Sequence, residues 1–249
     1  MPSLSEIVRG VRANALTLHV LDPPDDEFLD SLLERFADRN VEVIGETGGS
    51  GGEPRAVLRR SDEPLVTVSN ADLNALAGRS TPAPDRLHPV DRLSPHLSTE
   101  TFASREVEGM IAASREIEDR AFRARSGALH AGFQRPGALS EQSDVYRRLA
   151  STDLEIHLYT TSHDDGAITA GDVLGNAENV RVHVDDDREL ERHWFVVFDG
   201  GNDGDDACAL IAEERHPRRY YGIWTYDRGT VARVLDRLVS RYGAPHPYR

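Results

Sequence analysis

Residues 107–134 constrain this chain more than any other stretch. Val107, Met110, Ile111, Ile117, Ala121 and Ala124 fall at spacings of three, four and seven. That spacing makes one apolar stripe on a helix. Arg115, Glu116, Glu118, Asp119, Arg120 and Arg123 fill the opposite face. Gly127 follows the last periodic residue, where a left-handed C-cap costs glycine least. Residues 128–134 then read as a short strand, with Gly132 leaving room for a close neighbour. A long amphipathic helix that runs straight into a strand must bury its stripe on a sheet, which points to an α+β protein.

The segment Ser114-Arg115-x-Ile117-Glu118, followed by Ala131-Gly132-Phe133-Gln134, resembles the DICT sensory domain family. Further matching pieces follow in order: Tyr146-Arg147-x-Leu149-Ala150, the run from Trp194 to Gly201, the run from Ala209 to Glu214, and the run from Tyr221 to Tyr226. The resemblance covers roughly residues 102–238. It implies a sensory or signal-input role, light and redox responses among its settings. It names no ligand and no cofactor.

Composition narrows the setting. The net charge is −14, from 43 acidic and 29 basic residues, and every basic residue is arginine. Abundant Asp without lysine fits a salt-accumulating archaeon, so the expectation is a haloarchaeal, stand-alone DICT-domain protein. At molar salt the Debye length is about 3 Å, so self-repulsion on such a surface is screened. The acidity argues against a general nucleic-acid binder, which needs a basic face. Cys208 is the single cysteine, so no intramolecular disulfide and no cysteine-rich zinc site can form. Its apolar surroundings suit a buried structural thiol. The first residues carry no cleavage signal, and no apolar run approaches the ~20 residues that span a bilayer. A cytoplasmic protein without membrane attachment is expected.

In chain order, the pattern predicts a helix over 5–11, a strand over 15–21 and a helix striped by Phe28, Leu29, Leu32, Leu33 and Phe36. Strands over 41–44, 56–59 and 65–69 and a helix over 70–76 complete an N-terminal β-α-β-β-β unit. Pro82, Pro84, Pro89 and Pro95 mark a linker. The expected organisation is an α/β accessory half over 1–78, a linker over 79–100 and a DICT-like sensory domain over 101–249. In the latter, a helix over 140–150 and a short helix over 168–174 join strands over 154–160 and 180–184. Strands over 194–198, 207–213 and 221–226 form a meander, and a last helix is striped by Val231, Val234, Leu235 and Leu238. The fold class is α+β: a mainly antiparallel sheet flanked by helices, sensor-like in the manner of GAF or PAS domains by analogy alone. The order strand, helix, strand, strand, strand, helix occurs over 15–76 and again over 154–238.

Each candidate site has a plain structural reading beside it. The Asp199 turn resembles a calcium loop but fails it: the third position is Gly201 and the twelfth Leu210, where an EF-hand needs a bidentate Glu. The glycine-rich run 46–53 lacks the Gly-Lys-Ser/Thr ending of a phosphate loop. His19, His130, His157 and His183 lie on predicted strands without an H-x-H pair, so metal binding is the minor reading; any that meet in space would titrate together. Arg115 with Glu118 and Asp119 reads as surface ion pairs, each worth ~0.3–0.5 kcal/mol, or as a forked donor to an anionic or polar ligand. Gln134 beside Phe133 is a candidate polar contact. Trp194, Trp224 and the nearby tyrosines form core or the walls of a flat-ligand pocket. Candidate ligand-binding residues are therefore Arg115, Glu118, Phe133, Gln134, Trp194, Asp199 and Trp224.

Known catalytic motifs are lacking, among them G-x-S-x-G, H-E-x-x-H and the Rossmann glycines. The leading expectation is a cytoplasmic sensory module that binds a small ligand or a signalling partner and relays a conformational change to a separate output protein. A homodimer through the exposed helix over 102–125 is one route for that relay. A ligand-free interaction adaptor is the alternative, and a hydrolase using Asp199 and Glu213 comes third.

Overall fold

The computed structural model describes residues 1–13, 16–36, 39, 41–48, 55–60, 63–81, 93, 97, 99–162 and 177–243. The chain separates into two units: residues 1–9 with 102–249, and residues 10–101. The first helix, α1 (Leu4–Ala13), contributes to both. No helix among the described residues is long and apolar enough to cross a membrane.

In the unit of residues 10–101, strands β1 (Leu16–Leu21), β2 (Val41–Glu46), β3 (Arg55–Arg60) and β4 (Glu63–Val68) form one sheet in the order β2-β1-β3-β4. β1 runs parallel to β2 and antiparallel to β3. The alternation along β1 buries Leu16, Leu18 and Val20 on one face. Helices α2 (Asp26–Arg35) and α3 (Asn70–Leu76) share that core through Phe28, Leu32, Phe36, Leu73 and Leu76. Leu33, expected in the α2 stripe, instead faces water. Asp25 caps α2 by accepting the Phe28 N–H at 2.8 Å, and Ser69 caps α3.

The other unit is a seven-stranded sheet in the order β5-β11-β10-β9-β6-β7-β8. Its strands are β5 (Thr99–Glu106), β6 (Ala128–Phe133), β7 (Glu155–Thr160), β8 (Val180–Val184), β9 (His193–Phe198), β10 (Cys208–His216) and β11 (Arg219–Thr225). β11, β10, β9 and β6 are antiparallel neighbours, whereas β6, β7 and β8 are parallel. The fold is α+β, with helix-flanked, multi-stranded sheets. Helix α4 (Val107–Ala124) lays Met110, Ala113, Ile117 and Ala121 on the face built by Leu129, Ala131, Ile156, Leu158, Val196 and Phe198. Helices α5 (Pro136–Glu141) and α6 (Ser143–Ala150) add Leu139, Tyr146 and Leu149 to the same core. Phe195, on the opposite face, lies 5.6 Å from the ring of Tyr159, itself 5.5 Å from Tyr242 of α8 (Arg228–Tyr242). A short α7 (Arg188–Arg192) precedes β9.

Several expectations change. The helix over 140–150 is two helices, broken at Gln142, whose φ of −100° and ψ of 5° cap one and start the other. The left-handed closure of α4 falls on Arg125, at φ 60°, not on Gly127. Gly127 has positive φ for another reason: a side chain there would strike Gly201 and the Asp199 carboxylate. The repeated element order has a different frame, because β6 lies between β7 and β9. One parallel neighbour, then two antiparallel steps, describes β2-β1-β3-β4 and also β7-β6-β9-β10. The short helix expected over 168–174 and most of the linker lie outside the described residues.

Candidate functional site

A cleft of about 680 Å³ opens beside α4, α5 and the strand ends of β6, β9 and β11. Val107 and Ile111 of α4 form one apolar wall. Phe133, Trp194 and Tyr220 supply aromatic surface, the last two edge to face with ring centres 5.6 Å apart. Trp194 is oriented by its indole N–H, which donates to Ser114 Oγ at 2.9 Å. Gln134, at the end of β6, forms a polar floor. Its amide NH₂ donates to Glu191 O at 3.2 Å and Glu214 Oε2 at 3.1 Å, and its carbonyl accepts from Tyr220 OH at 2.9 Å. Burial pushes the Tyr220 hydroxyl up to about 12, with Glu214 adding to the rise and Arg135 and Arg218 opposing it.

A second network closes the inner end of this cleft. Glu118 is buried on α4, at 4% exposure. Its Oε1 accepts from Tyr146 OH at 2.8 Å, and its Oε2 accepts from the Arg115 guanidinium. The other Arg115 nitrogen donates to Gln142 at the α5–α6 junction. Burial raises the Glu118 carboxyl above its usual range, while the Arg115 charge and the Tyr146 hydrogen bond pull it back. Tyr146 stacks edge-on to Phe133, with centroids 5.6 Å apart. Arg115 and Glu118 are thus not the loose surface pair expected, and Asp119 pairs with Arg148 instead, at 2.7 Å. Arg115 spends its fork inside the protein.

Five of the seven candidates therefore meet here: Arg115, Glu118, Phe133, Gln134 and Trp194 line this cleft or its inner extension. Asp199 lies elsewhere, in a cavity of about 170 Å³ with Arg228 and Leu235. It is buried and accepts the Gly201 N–H at 2.9 Å, which makes it a clamp for the turn after β9. Trp224 shares a face with Tyr220 but sits four residues along β11, about 13 Å away, and its ring neighbours Tyr226. Glu213 is opposite His193 while Cys208 is opposite Phe198, so Asp199 and Glu213 lie near opposite ends of the β9–β10 pair. They do not form an acid–base couple. Sequence candidates did not include Gln142, Arg135, Glu214 or Arg218, which also line the cleft.

On the far face of the sheet, strand order brings His130, His157 and His183 together. His130 stacks on His157 at 4.6 Å and His157 on His183 at 5.3 Å. His130 Nδ1 is 2.8 Å from Tyr159 OH, and His157 Nδ1 is 3.0 Å from His183 Nε2. Burial lowers the His157 pKa to about 4 and drives that of His130 well below the usual value. Burial favours the neutral form of these stacked rings, and no metal-binding cluster exists among the described residues. His19 belongs to the other unit, 2.9 Å from Glu46. Cys208 is buried, and burial pushes its thiol up to about 12.

The unit is an α+β sheet flanked by helices, with a cleft at its strand ends. The family model of DICT, described as a sensory domain in diguanylate cyclases and two-component systems, matches residues 90–215, just over half of the sequence, and the chain belongs to that family. No curated protein matches it. Among solved structures, polyphosphate kinase from Porphyromonas gingivalis is similar over 97% of this chain, with 11% identity and a TM-score of 0.37. The match spans 48% of that enzyme's chain, and a likeness of this size carries no functional argument.

Proposed function

We propose that this protein is a signal-input module that binds a small molecule in the cleft beside α4 and relays the event to a separate output protein. The observation that carries the reading is the coupling of the cleft to α4. Arg115, Glu118, Tyr146 and Gln142 form one hydrogen-bonded chain from that helix to the α5–α6 junction, directly behind Phe133 and Trp194. A ligand that displaced Trp194 or Gln142 would shift α4, whose outer face is free to meet a second copy or another protein. The volume fits small-molecule sites, which run from about 300 to 1,000 Å³. A ligand-free adaptor has no need of such a cleft. The reading extends to setting: a cytoplasmic protein of a halophilic archaeon, with residues 1–78 as an accessory half and 101–249 as the sensory domain.

Absorption spectra and mass spectrometry of a denatured extract, on protein purified from a high-salt host, test the reading. A stoichiometric metabolite that Trp194→Leu fails to retain is the expected result. A clean chain whose melting temperature no metabolite pool from that host shifts would turn the assignment toward an adaptor.

A further inference from the structure

We infer that the cleft takes an organic anion with a flat apolar body, its charge held between Arg135 and Arg218; this rests on the cleft being the ligand site. Most arginines of this unit are tied up in ion pairs, as with Arg120, Arg148, Arg181, Arg237 and Arg241. Arg135 and Arg218 line the cleft, are exposed, and form no ion pair with any described residue. In a chain of net charge −14, two guanidiniums without a carboxylate partner among the described residues line this one cleft, beside Glu141, Glu191 and Glu214. Both flank Tyr220.

The acidic residues of the cleft keep their charge, but none of them forms an ion pair with either guanidinium, so both forks are left to a ligand. Glu214 is engaged: Oε2 accepts from Gln134, and Oε1 accepts the Arg218 backbone N–H at 2.8 Å. Glu191 has partners of its own. Glu141 ends α5, whereas Arg135 caps its start, so the helix separates them by about 9 Å. The polar floor of Gln134 and Tyr220 is saturated internally and offers no competing donor. The guanidinium fork suits a carboxylate or phosphate. Trp194, Phe133 and Ile111 suit a flat apolar body.

The backbone adds an independent observation. Arg218 and Pro217 form the two-residue turn between paired His216 and Arg219, and Arg218 has φ 60°. That is the left-handed region, where glycine follows proline at no steric cost and an L-residue pays one. Arg125 takes the same angle at the end of α4, but only Arg218 does so at the edge of the cleft.

Naphthoate, naphthyl phosphate, neutral naphthamide and cationic naphthylmethylammonium are the probes. They are titrated in molar KCl against a Trp224→Phe background, in which Trp194 is the sole tryptophan. Expected is quenching of Trp194 emission by an anionic probe, held roughly tenfold more tightly than naphthamide. Arg135→Gln and Arg218→Gly should each erase most of that preference. Arg218→Gly also relieves the turn, so it should melt no earlier than the parent, and misfolding cannot explain its loss of binding. Whichever of naphthoate and naphthyl phosphate binds tighter identifies the acid group. Naphthamide or the cation binding as well as both anions overturns the anionic class and leaves the cleft reading intact. Silence from all four probes, with Trp194→Leu retaining whatever the natural host supplies, overturns the cleft reading and this inference with it.

Discussion

The stacked histidines should make this protein sensitive to mild acid, and His157 gives a magnitude. Its ring has no exposed surface and titrates at about 4 in the native state, mainly through burial and next through the His183 and Arg181 charges. In the unfolded chain a histidine titrates near 6.5. The unfolded state therefore takes up the proton first, and stability falls as pH drops below about 6.5 until the native ring also charges near 4. Linkage gives about 2 kcal/mol lost between about pH 8 and pH 5, and about 3 kcal/mol at the acid limit. Glu155 Oε1 lies 3.3 Å from His157 Nε2 without forming a hydrogen bond, and Arg181 already holds that carboxylate at 3.0 Å. If His157 donates from Nδ1 to His183, its Nε2 is a bare acceptor, and protonation would create a buried N–H that faces Glu155 without hydrogen-bond geometry. His130 and His183 act in the same direction. Denaturant unfolding at fixed salt, at both pH values, for the parent and His157→Phe is the assay. The phenyl ring keeps the stack on His130 but cannot titrate, so the variant should lose about 2 kcal/mol less on acidification. Equal losses in the two proteins, or a His157 ring resonance with a midpoint near 6.5, would refute the reasoning.

Gly132→Ala should destabilise by roughly 1–3 kcal/mol, because the new methyl overlaps the Phe195 ring in the sheet's packed face; an unchanged melting temperature would contradict the packing described. Arg115→Ala should lower stability by roughly 2–3 kcal/mol, less than the roughly 3–5 kcal/mol for breaking a fully buried pair, because the Arg115 side chain is 34% exposed. Adding Glu118→Gln should recover part of that loss, and a double variant weaker than the sum of the singles would sink the pairing argument. Raising KCl from about 0.1 M to about 1 M should raise the melting temperature, since screening shortens from about 10 Å to about 3 Å; a melting curve indifferent to salt would remove the halophile reading.

Local chemistry was legible in the sequence where it acts over one turn or one strand. The stretch 70–76 is a helix as expected, whereas the helix expected over 102–125 begins only at Val107, because residues 99–106 form β5. The break at Gln142 was not legible, because its cause is tertiary: Gln142 turns to accept from Arg115, 27 residues earlier. The cap at Arg125 was misread for a similar reason, since Gly127 is held by its approach to Gly201 and leaves the left-handed turn to an arginine. Arg115, Glu118, Phe133 and Gln134 lie on one helix–strand unit, so their meeting was partly visible. Trp194 joins them only because β9 lies against β6, a fact of strand order. The histidines show the same limit, being brought together by the parallel register of β6, β7 and β8. Arg218 did leave a mark, a Pro-Arg pair between two apolar strands where a Pro-Gly turn is the usual solution.

Strand order also sets a timetable for synthesis. β5 is made early, yet its neighbour in the sheet is β11, more than 110 residues later. The N–H of Leu4, near the start of α1, waits still longer for its acceptor, Glu189 Oε1, 185 residues on at 2.7 Å. While a ribosome is still making the second half of the chain, the four-stranded unit of residues 10–101 has all its strands and can close, but both of these early segments lack their partners. The large sheet therefore finishes from its far end, and its last-made hairpin completes the edge on which β5 docks. Such non-local closure folds slowly, and ribosome stalling before residue 219 should leave β5 open to protease while β1–β4 are already protected.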